Sequence, residues 1–242
     1  MKKIVEKVLS FISEYNCVYK ISNKIIRYHK KKVSNLEKKE YERLSHDYND
    51  DKNIKLHFGS GPRILKGWVN IDLKFVPFEE YLESYTDEFY GENIRGNKND
   101  FYAIDITKVG LPLPNNSVDL IFHEDFLEHL DQVEQYIFLA ESLRVLKPGA
   151  IHRVNTPNLE ASIKRHFDFT KGKTGVYIDE WYKPEHKNIL TKKVLEEMAT
   201  IVGYSKIIFN SCDNSQSKEI PREYRPGKGH PEDENIFADL IK

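Results

Sequence analysis

Two short apolar runs, joined through a glycine turn, constrain this chain more than any other stretch. Residues 55–58 lead into Gly59 and Gly61, and about ten residues separate this run from a second one that ends at Asp72. Glycine lets a backbone turn sharply and approach a ligand closely because it has no Cβ. The spacing leaves room for a turn or a short helical piece, and both runs are interpreted as strands. A Gly-x-Gly turn alone is more often an ordinary turn than a ligand site.

Length and composition indicate a soluble protein with one main domain and appendages. The chain has 242 residues, of which 39% are hydrophobic and 31% charged. Residues 1–35 carry nine Lys or Arg and two Glu, so they contribute +7 and leave −8 for the remainder. An acidic main body gives no sign of a nucleic-acid partner.

The cysteine count and the absence of a long apolar run predict a cytoplasmic location. Cys17 and Cys212 form neither a disulfide framework nor a metal-binding spacing, which fits a reducing compartment. No run approaches the length of a membrane span, and Glu6, Ser10 and Glu14 interrupt the N-terminus where a secretion signal would be apolar.

The first 53 residues are predicted to form a basic helical extension and a linker. Apolar residues recur at helical spacing from Ile4 to Tyr28, and three lysines follow. This helix is expected to cover the main domain. A peripheral contact with an anionic inner membrane or with a partner protein is the alternative. Residues 37–53 are read as a connecting helix or linker, and residues 54–242 as the second domain.

Strands and helices alternate through residues 54–242, which predicts an α/β, doubly wound, Rossmann-like sheet that is mostly parallel. The predicted strands are residues 54–58, 68–72, 102–105, 118–123, 150–155, 205–209 and 236–241. Asp131 with Glu134 and, further on, Thr191 are predicted helix N-caps. Residues 75–100 are interpreted as an aromatic insertion, and residues 211–232 as a mobile or functional loop.

Chemistry-bearing residues follow several of these strands. In such sheets ligands bind at the carboxyl ends of the strands, where the topology switches. That rule brings the glycine turn, Asp72, Asp105 and residues 123–125 to one edge. A carboxylate in the position of Asp72 is where such a fold holds ribose hydroxyls.

A set of motifs in matching order resembles class I S-adenosylmethionine-dependent methyltransferases. The set comprises Phe58-Gly59-Ser60-Gly61, Gly67-Trp68-Val69-Asn70-Ile71-Asp72, Asp105-Ile106, residues 117–122, Leu127-Glu128-His129-Leu130, residues 143–149 and Thr156-Pro157. The resemblance covers roughly residues 54–210. It is greatest for the small subgroup whose second strand reads Gly-Trp-Val-Asn-Ile-Asp, which is often linked to polysaccharide biosynthesis. It implies seven strands with the last one antiparallel.

The resemblance also implies a cofactor site, for S-adenosylmethionine as donor and S-adenosylhomocysteine as product. Its cofactor-binding residues would be Phe58, Gly59, Ser60, Gly61, Asp72, Leu73, Asp105, Ile106 and His123. The glycines would approach the methionine part, and Asp72 would bind the ribose. Asp105 would take the adenine amino group, with Ile106 against the ring. His123 and Glu124 would line the methionine and substrate side.

Four positions depart from the family pattern. His57 replaces a frequent acidic residue, Pro62 removes a backbone donor, Asp125 stands where the subgroup often has histidine, and Ala150 replaces a glycine. Pro62 and the missing histidine at Asp125 motivate an alternative, in which the chain is a catalytically degenerate binding or scaffold module.

Methyl transfer to a hydroxyl needs alignment of donor and acceptor and a group that removes the proton. The predicted catalytic residues are Glu124, Asp125 and His186. No metal site is predicted, since few of the side chains from His123 to His129 can converge from one strand-to-loop segment. A nicotinamide dehydrogenase is disfavoured because Ile64 occupies the position of a third glycine.

The acceptor is predicted by analogy only: a sugar, a glycan or another small molecule, methylated on oxygen. The oligomeric state is left open.

Overall fold

The computed structural model describes residues 35–48, 53–78, 87–166, 185–224 and 232–242. The helices in these ranges are α1 (Asn35–Asp47), α2 (Asp87–Tyr90), α3 (Ile106–Val109), α4 (Gln132–Val145), α5 (Leu159–His166) and α6 (Lys192–Val202). The strands are β1 (Ile54–Phe58), β2 (Val69–Asp72), β3 (Phe101–Ala103), β4 (Val118–Glu124), β5 (Leu146–Pro157), β6 (Lys206–Asn210) and β7 (Asn235–Ile241).

The seven strands form one sheet in the order β3-β2-β1-β4-β5-β7-β6. Strands β1 to β5 pair in parallel, and β7 lies antiparallel between β5 and β6. The predicted doubly wound sheet with an antiparallel last strand is therefore confirmed. The switch in strand order lies between β1 and β4, so the carboxyl ends of these two strands open onto a crevice.

Side chains of the central strands alternate between two buried layers, as the two-residue period of a strand requires. On β4, Ile121 belongs to the larger apolar cluster with Phe58 and Phe138. Its neighbour Phe122 belongs to a smaller cluster with Trp68. Both faces of the sheet are covered, which is why β4 reads as an apolar run.

The predicted helix caps are present. The Asp131 carboxylate accepts from the backbone N–H of Glu134 at 2.9 Å, and the Glu134 side chain accepts from the N–H of Asp131. Thr191 caps α6 through the N–H of Val194. Val133, in the first turn of α4, is 60% exposed.

Asn70 closes the turn between β1 and β2. Its side-chain amide donates to the carbonyls of Leu65 and Trp68 and accepts from the N–H of Leu65 at 2.8 Å. The side chain is fully buried, so these bonds replace water for a turn that contains no helix. The asparagine of the Gly-Trp-Val-Asn-Ile-Asp run therefore stabilises the turn between the two strands.

Three buried histidines stand in the core. The His57 ring stacks on Phe122 with a centroid distance of 5.3 Å. Its Nδ1 donates to Asn70 Oδ1, because the Asn70 side-chain nitrogen donates to backbone carbonyls and leaves the oxygen as the acceptor. Burial lowers the pKa of His57 and of His152 to about 3. Burial, with His152 and His57 nearby, holds the pKa of His123 well below its ordinary value. All three are neutral in the folded chain at neutral pH.

These histidines predict acid sensitivity. The unfolded chain binds their protons below about pH 6.5 and the folded chain does not, so stability is lost as pH falls. At pH 5 the loss is about 2 kcal/mol per histidine. Urea unfolding from pH 7.5 to pH 5 measures it. His123→Leu should flatten the slope and His46→Gln, at a 91% exposed side chain, should not. A pH-independent stability would contradict the prediction.

A buried ionic network fixes residues 211–224 against the sheet. Arg153 of β5 forms two hydrogen bonds to the Glu223 carboxylate, at 2.9 and 2.6 Å, and its Nη1 lies 3.4 Å from Asp239 of β7. These three side chains are fully buried. The described part of the loop that was predicted to be mobile or functional is therefore fixed to the sheet by the ion pair between Arg153 and Glu223.

The N-terminal predictions fall mostly outside the described residues. Residues 1–34, with the predicted basic helix, are not described. The connecting segment is helical as α1, and its Arg43 donates to the carbonyl of Phe101 at the sheet edge. No helix in the described ranges is long and apolar enough to cross a bilayer. The domain boundary at residue 53 and the insertion at 75–100 stay predictions.

Candidate active site

A cavity of about 470 Å³ opens at the carboxyl ends of β1 and β2. Its walls come from the glycine turn, the residues after β2 and β3, and the loop after β4. The lining residues used below are Phe58, Gly59, Asp72, Leu73, Asp105, Ile106, Asp125, Phe126, His129, Glu134, Glu185 and Lys187. The topology thus brings together residues that are far apart in sequence, as predicted.

The glycine turn and Asp72 hold one another. The Asp72 carboxylate accepts from the N–H of Gly61 at 2.8 Å and from that of Leu73 at 2.6 Å. Gly59 has a φ of +60°, and a Cβ there would lie 2.8 Å from the Phe126 ring. Glycine is therefore required at Gly59 both by the backbone and by the close approach.

Asp105 lines the cavity, but both oxygens of its carboxylate already have partners within the chain. One carboxylate oxygen caps α3 by accepting from the N–H and the hydroxyl of Thr107, and the other lies 2.6 Å from Lys108 Nζ. Burial alone would raise the pKa of Asp105, but the bonds from Lys108 and Thr107 outweigh it and lower that pKa. The carboxylate is charged, and its Lys108 partner is 59% exposed and therefore replaceable.

Apolar side chains form the walls between these carboxylates. Leu73 is 70% exposed although it is a large apolar residue, whereas Ile106 is buried. Phe126 stacks on Phe58 with a centroid distance of 6.1 Å. These walls offer apolar surface to a bound group, and an exposed leucine at a cavity rim is stabilised by being covered.

A second cavity of about 140 Å³ adjoins the glycine turn and is lined by Ser60, Gly61, Arg63, Asp125 and Tyr224, among others. Arg63 Nη1 lies 2.7 Å from Glu124, the last residue of β4. Ser60 Oγ and Arg63 Nε are buried and have no hydrogen-bond partner within the described ranges. Two residues that line this cavity therefore each hold a buried polar atom without a partner in the described part of the chain, and an anionic group could accept hydrogen bonds from both.

Arg63 also joins three separate parts of the chain. Its Nη2 donates to the carbonyl of Phe89 at 2.9 Å and to the carbonyl of Arg222. Phe89 belongs to α2, and its ring meets Tyr224 edge-on at 5.7 Å. Helix α2 and the loop after β6 therefore both contact Arg63, the partner of Glu124.

The predicted catalytic residues occupy different environments. The Glu124 carboxylate accepts from Arg63, from the Asn155 side chain and from the N–H of Tyr224 at 2.7 Å. Asp125 lines both cavities and has a φ of +46°. A left-handed conformation in a residue other than glycine is uncommon and clusters at functional sites.

His123 and His186 are not in the cavity linings. His123 is fully buried, with its ring 5.4 Å from Phe138 and 5.1 Å from His152. His123 therefore packs within the core beside Phe138, and its predicted place on the methionine side of the cofactor stays a prediction. His186 Nε2 lies 4.0 Å from Glu128 Oε1, and its ring meets His129 edge-on.

Sequence reasoning missed Arg63 and Tyr224. Arg63 is the basic residue directly after Gly61 and Pro62, which was a usable signal. Tyr224 offered none beyond its position in a long loop.

Parts of this chain are similar in sequence to known methyltransferases. Residues 81–154 match the family model described as a methyltransferase domain. This stretch includes α2, β3, α3, β4 and α4 and ends within β5. A probable S-adenosylmethionine-dependent methyltransferase of Mycolicibacterium smegmatis is 34% identical over 95 residues. That match spans 39% of this chain and 31% of the relative's length.

Solved structures include more distant likenesses. An Archaeoglobus fulgidus SAM-dependent methyltransferase is 15% identical with a TM-score of 0.48, over 83% of this chain and 90% of that chain. A Thermotoga maritima SAM-dependent methyltransferase, described as a possible histamine N-methyltransferase, is 15% identical with a TM-score of 0.46 over the full length of both chains. These likenesses are too remote to bear on the substrate.

Proposed function

We propose that this chain is an S-adenosylmethionine-dependent methyltransferase. The observation that carries the proposal is the cavity in which the glycine turn, Asp72 and Asp105 meet at the switch in strand order. Asp72 binds the ribose hydroxyls with the lone pairs that Gly61 and Leu73 leave free. Leu73, Ile106 and Phe126 enclose the adenine ring, and Asp105 accepts from its amino group in place of Lys108. The matched methyltransferase domain supports this assignment.

The methionine end of the cofactor is proposed to extend into the smaller cavity. Its carboxylate would meet Ser60 Oγ and Arg63 Nε, the two buried donors that lack a partner among the described side chains. An unsatisfied buried donor costs about 1–3 kcal/mol. A carboxylate that accepts from both recovers this free energy on binding, and Pro62 does not interfere because neither donor is its backbone.

Asp125 is the proposed general base. It lines both cavities, so it lies where the sulfonium methyl group and the acceptor would meet. Glu124 is better suited to positioning, since its oxygens already accept three hydrogen bonds. The transfer forms an O–CH₃ bond while the S–CH₃ bond breaks, and the electron pair of the broken bond stays on sulfur. The hydroxyl proton goes to Asp125.

A neutral polyhydroxyl acceptor, such as a sugar unit of a glycan, fits the charges at the cavity. Its described lining holds the carboxylates of Asp72, Asp105, Asp125, Glu134 and Glu185, against the ammonium group of Lys187. Carboxylates accept hydrogen bonds from hydroxyl groups and repel phosphates. Neutral monosaccharides are therefore expected to be methylated faster than their phosphates.

Asp125→Asn tests the base. We expect turnover to fall by about 10²–10⁴-fold, the usual contribution of a general base, while affinity for S-adenosylhomocysteine stays within about threefold. S-adenosylhomocysteine formation, measured by mass spectrometry with a panel of neutral monosaccharides and their phosphates, gives the rates. Unchanged turnover in Asp125→Asn would exclude this role.

The same panel separates the enzyme from a degenerate binding module. A module would bind the cofactor, yet would form no S-adenosylhomocysteine with any acceptor. His57 and Pro62 do not favour that alternative, since His57 is a neutral core residue and the Gly61 N–H still reaches Asp72.

A further inference from the structure

Three metal-ligand side chains converge beside the larger cavity. Oxygen or nitrogen atoms of Glu128, His129 and His186 all lie within 4.8 Å of one another. Glu128 and His129 come from the loop after β4, and His186 from the segment before α6. The segment from His123 to His129 supplies two of these side chains, and the third comes from a part of the chain more than 50 residues further on.

Backbone hydrogen bonds hold the two segments together. The N–H groups of Lys187 and Asn188 both donate to the carbonyl of Glu128, at 2.7 and 3.2 Å. The Gln135 side chain donates to the backbone carbonyl of Asn188 and accepts from the side-chain amide of Asn188. These backbone and side-chain hydrogen bonds place His186 opposite Glu128.

The carboxylate of Glu128 is oriented as metal ligands usually are. It is fully buried, and its Oε2 accepts from the hydroxyl of Thr156 at 3.0 Å. Its Oε1 faces His186 Nε2. Such hydrogen bonds behind a ligand fix its direction and raise metal affinity. A buried carboxylate beside two imidazoles is also relieved of its desolvation cost by a cation.

We propose that Glu128, His129 and His186 bind a divalent transition-metal ion. Two imidazoles and one carboxylate are a donor set for zinc and for other divalent first-row ions such as Co²⁺ and the harder Mn²⁺, and they leave coordination positions open. Bonds of about 2.0–2.2 Å require ligand atoms roughly 3–4 Å apart, so small rotations of the side chains close the site.

A second cluster competes as a metal site but is already occupied. Cys212, Asp213 and Glu223 also lie within 4.8 Å of one another. Glu223 is bonded to Arg153 through both oxygens, and burial raises the pKa of the Cys212 thiol to about 12. A protonated thiol and a carboxylate held by arginine are poor ligands.

The location suggests what the ion does, and this part rests on the proposed function. His129 and Asp125 line the same cavity, so an open coordination position can take the acceptor oxygen. A bound cation lowers the pKa of that hydroxyl. The proton passes to Asp125, the oxygen takes the methyl group, and the electron pair of the S–CH₃ bond remains on sulfur. His186 is then a ligand and not the base that its sequence position suggested.

Metal titration of the full-length protein tests the site without using activity. After treatment with EDTA, calorimetry with ZnCl₂ or MnCl₂ should give one ion per chain. His186→Ala and Glu128→Gln should weaken binding at least tenfold. Co²⁺ should give a visible absorption band in the wild type that His186→Ala loses. His46→Ala, on exposed α1, and Cys212→Ser should leave affinity unchanged.

Several outcomes would overturn the site. They are no binding by the wild type, equal affinity in His186→Ala, or a loss that follows Cys212→Ser. S-adenosylhomocysteine titration of the same samples keeps the two proposals apart. Cofactor binding without metal binding rejects only the metal site, and metal binding without cofactor binding rejects only the methyltransferase. Folding of each variant is checked by its melting temperature.

Discussion

Asp72→Ala is expected to lower the affinity for S-adenosylhomocysteine about a hundredfold. The carboxylate is proposed to accept two hydrogen bonds from the ribose, and losing bonds to a charged group costs about 2–3 kcal/mol, equivalent to that factor. The substitution also frees the N–H of Gly61, which the carboxylate now holds at 2.8 Å. The glycine turn then loses its orientation as well. Calorimetric titration of the wild type and the variant measures the ratio.

Asp72→Asn is the matched control. It keeps one oxygen acceptor of nearly the same shape, so it should lose less affinity than the alanine variant while its fold is retained. Equal affinity of wild type and Asp72→Ala, with both folded, would reject Asp72 as a cofactor ligand. An absence of binding by the wild type would reject the proposed cofactor itself.

Arg153→Met is expected to destabilise the chain by about 3–5 kcal/mol. It leaves the carboxylates of Glu223 and Asp239 buried without their guanidinium, and an uncompensated buried charge has this cost. Burial already raises the pKa of Glu223, against the opposing effect of Arg153. Without arginine that carboxyl is expected to take up a proton. Urea unfolding at pH 7.5 measures the loss.

The double variant Arg153→Met/Glu223→Gln provides the control. It removes one of the stranded charges along with the arginine, so it should recover part of the stability lost in the single variant. A single variant as stable as the wild type would show that the network contributes nothing. Equal losses in both variants would assign the cost to packing of the long arginine side chain.

The fold was predictable because its signals are local. Alternating apolar runs, the capping box at Asp131 and the glycine turn each depend on a few neighbouring residues. Their order along the chain then restricts the sheet to a few topologies. The resemblance to a known family supplied the strand count and the antiparallel β7, which the residues alone only suggested.

The site was predictable only where it follows the strand ends. Asp72 and Asp105 lie at the cavity because the end of a parallel strand fixes their place. His123 is buried, whereas the next residue, Glu124, lines the smaller cavity, because successive side chains of a strand point to opposite faces; its predicted role stays a prediction. Arg63 and Glu124 form an ion pair although they are 61 residues apart in the sequence. No periodic pattern in the sequence predicts such a pair.

The contacts of Arg63 bear on which positions near it can vary over evolutionary time. Its Nη2 group bonds to the backbone carbonyls of Phe89 and Arg222, which every residue type possesses. Substitutions at those two positions can therefore change the side chains there while the hydrogen bonds to Arg63 are kept. Sequence variation beside the smaller cavity is compatible with an unchanged Arg63–Glu124 pair and an unchanged sheet beneath it.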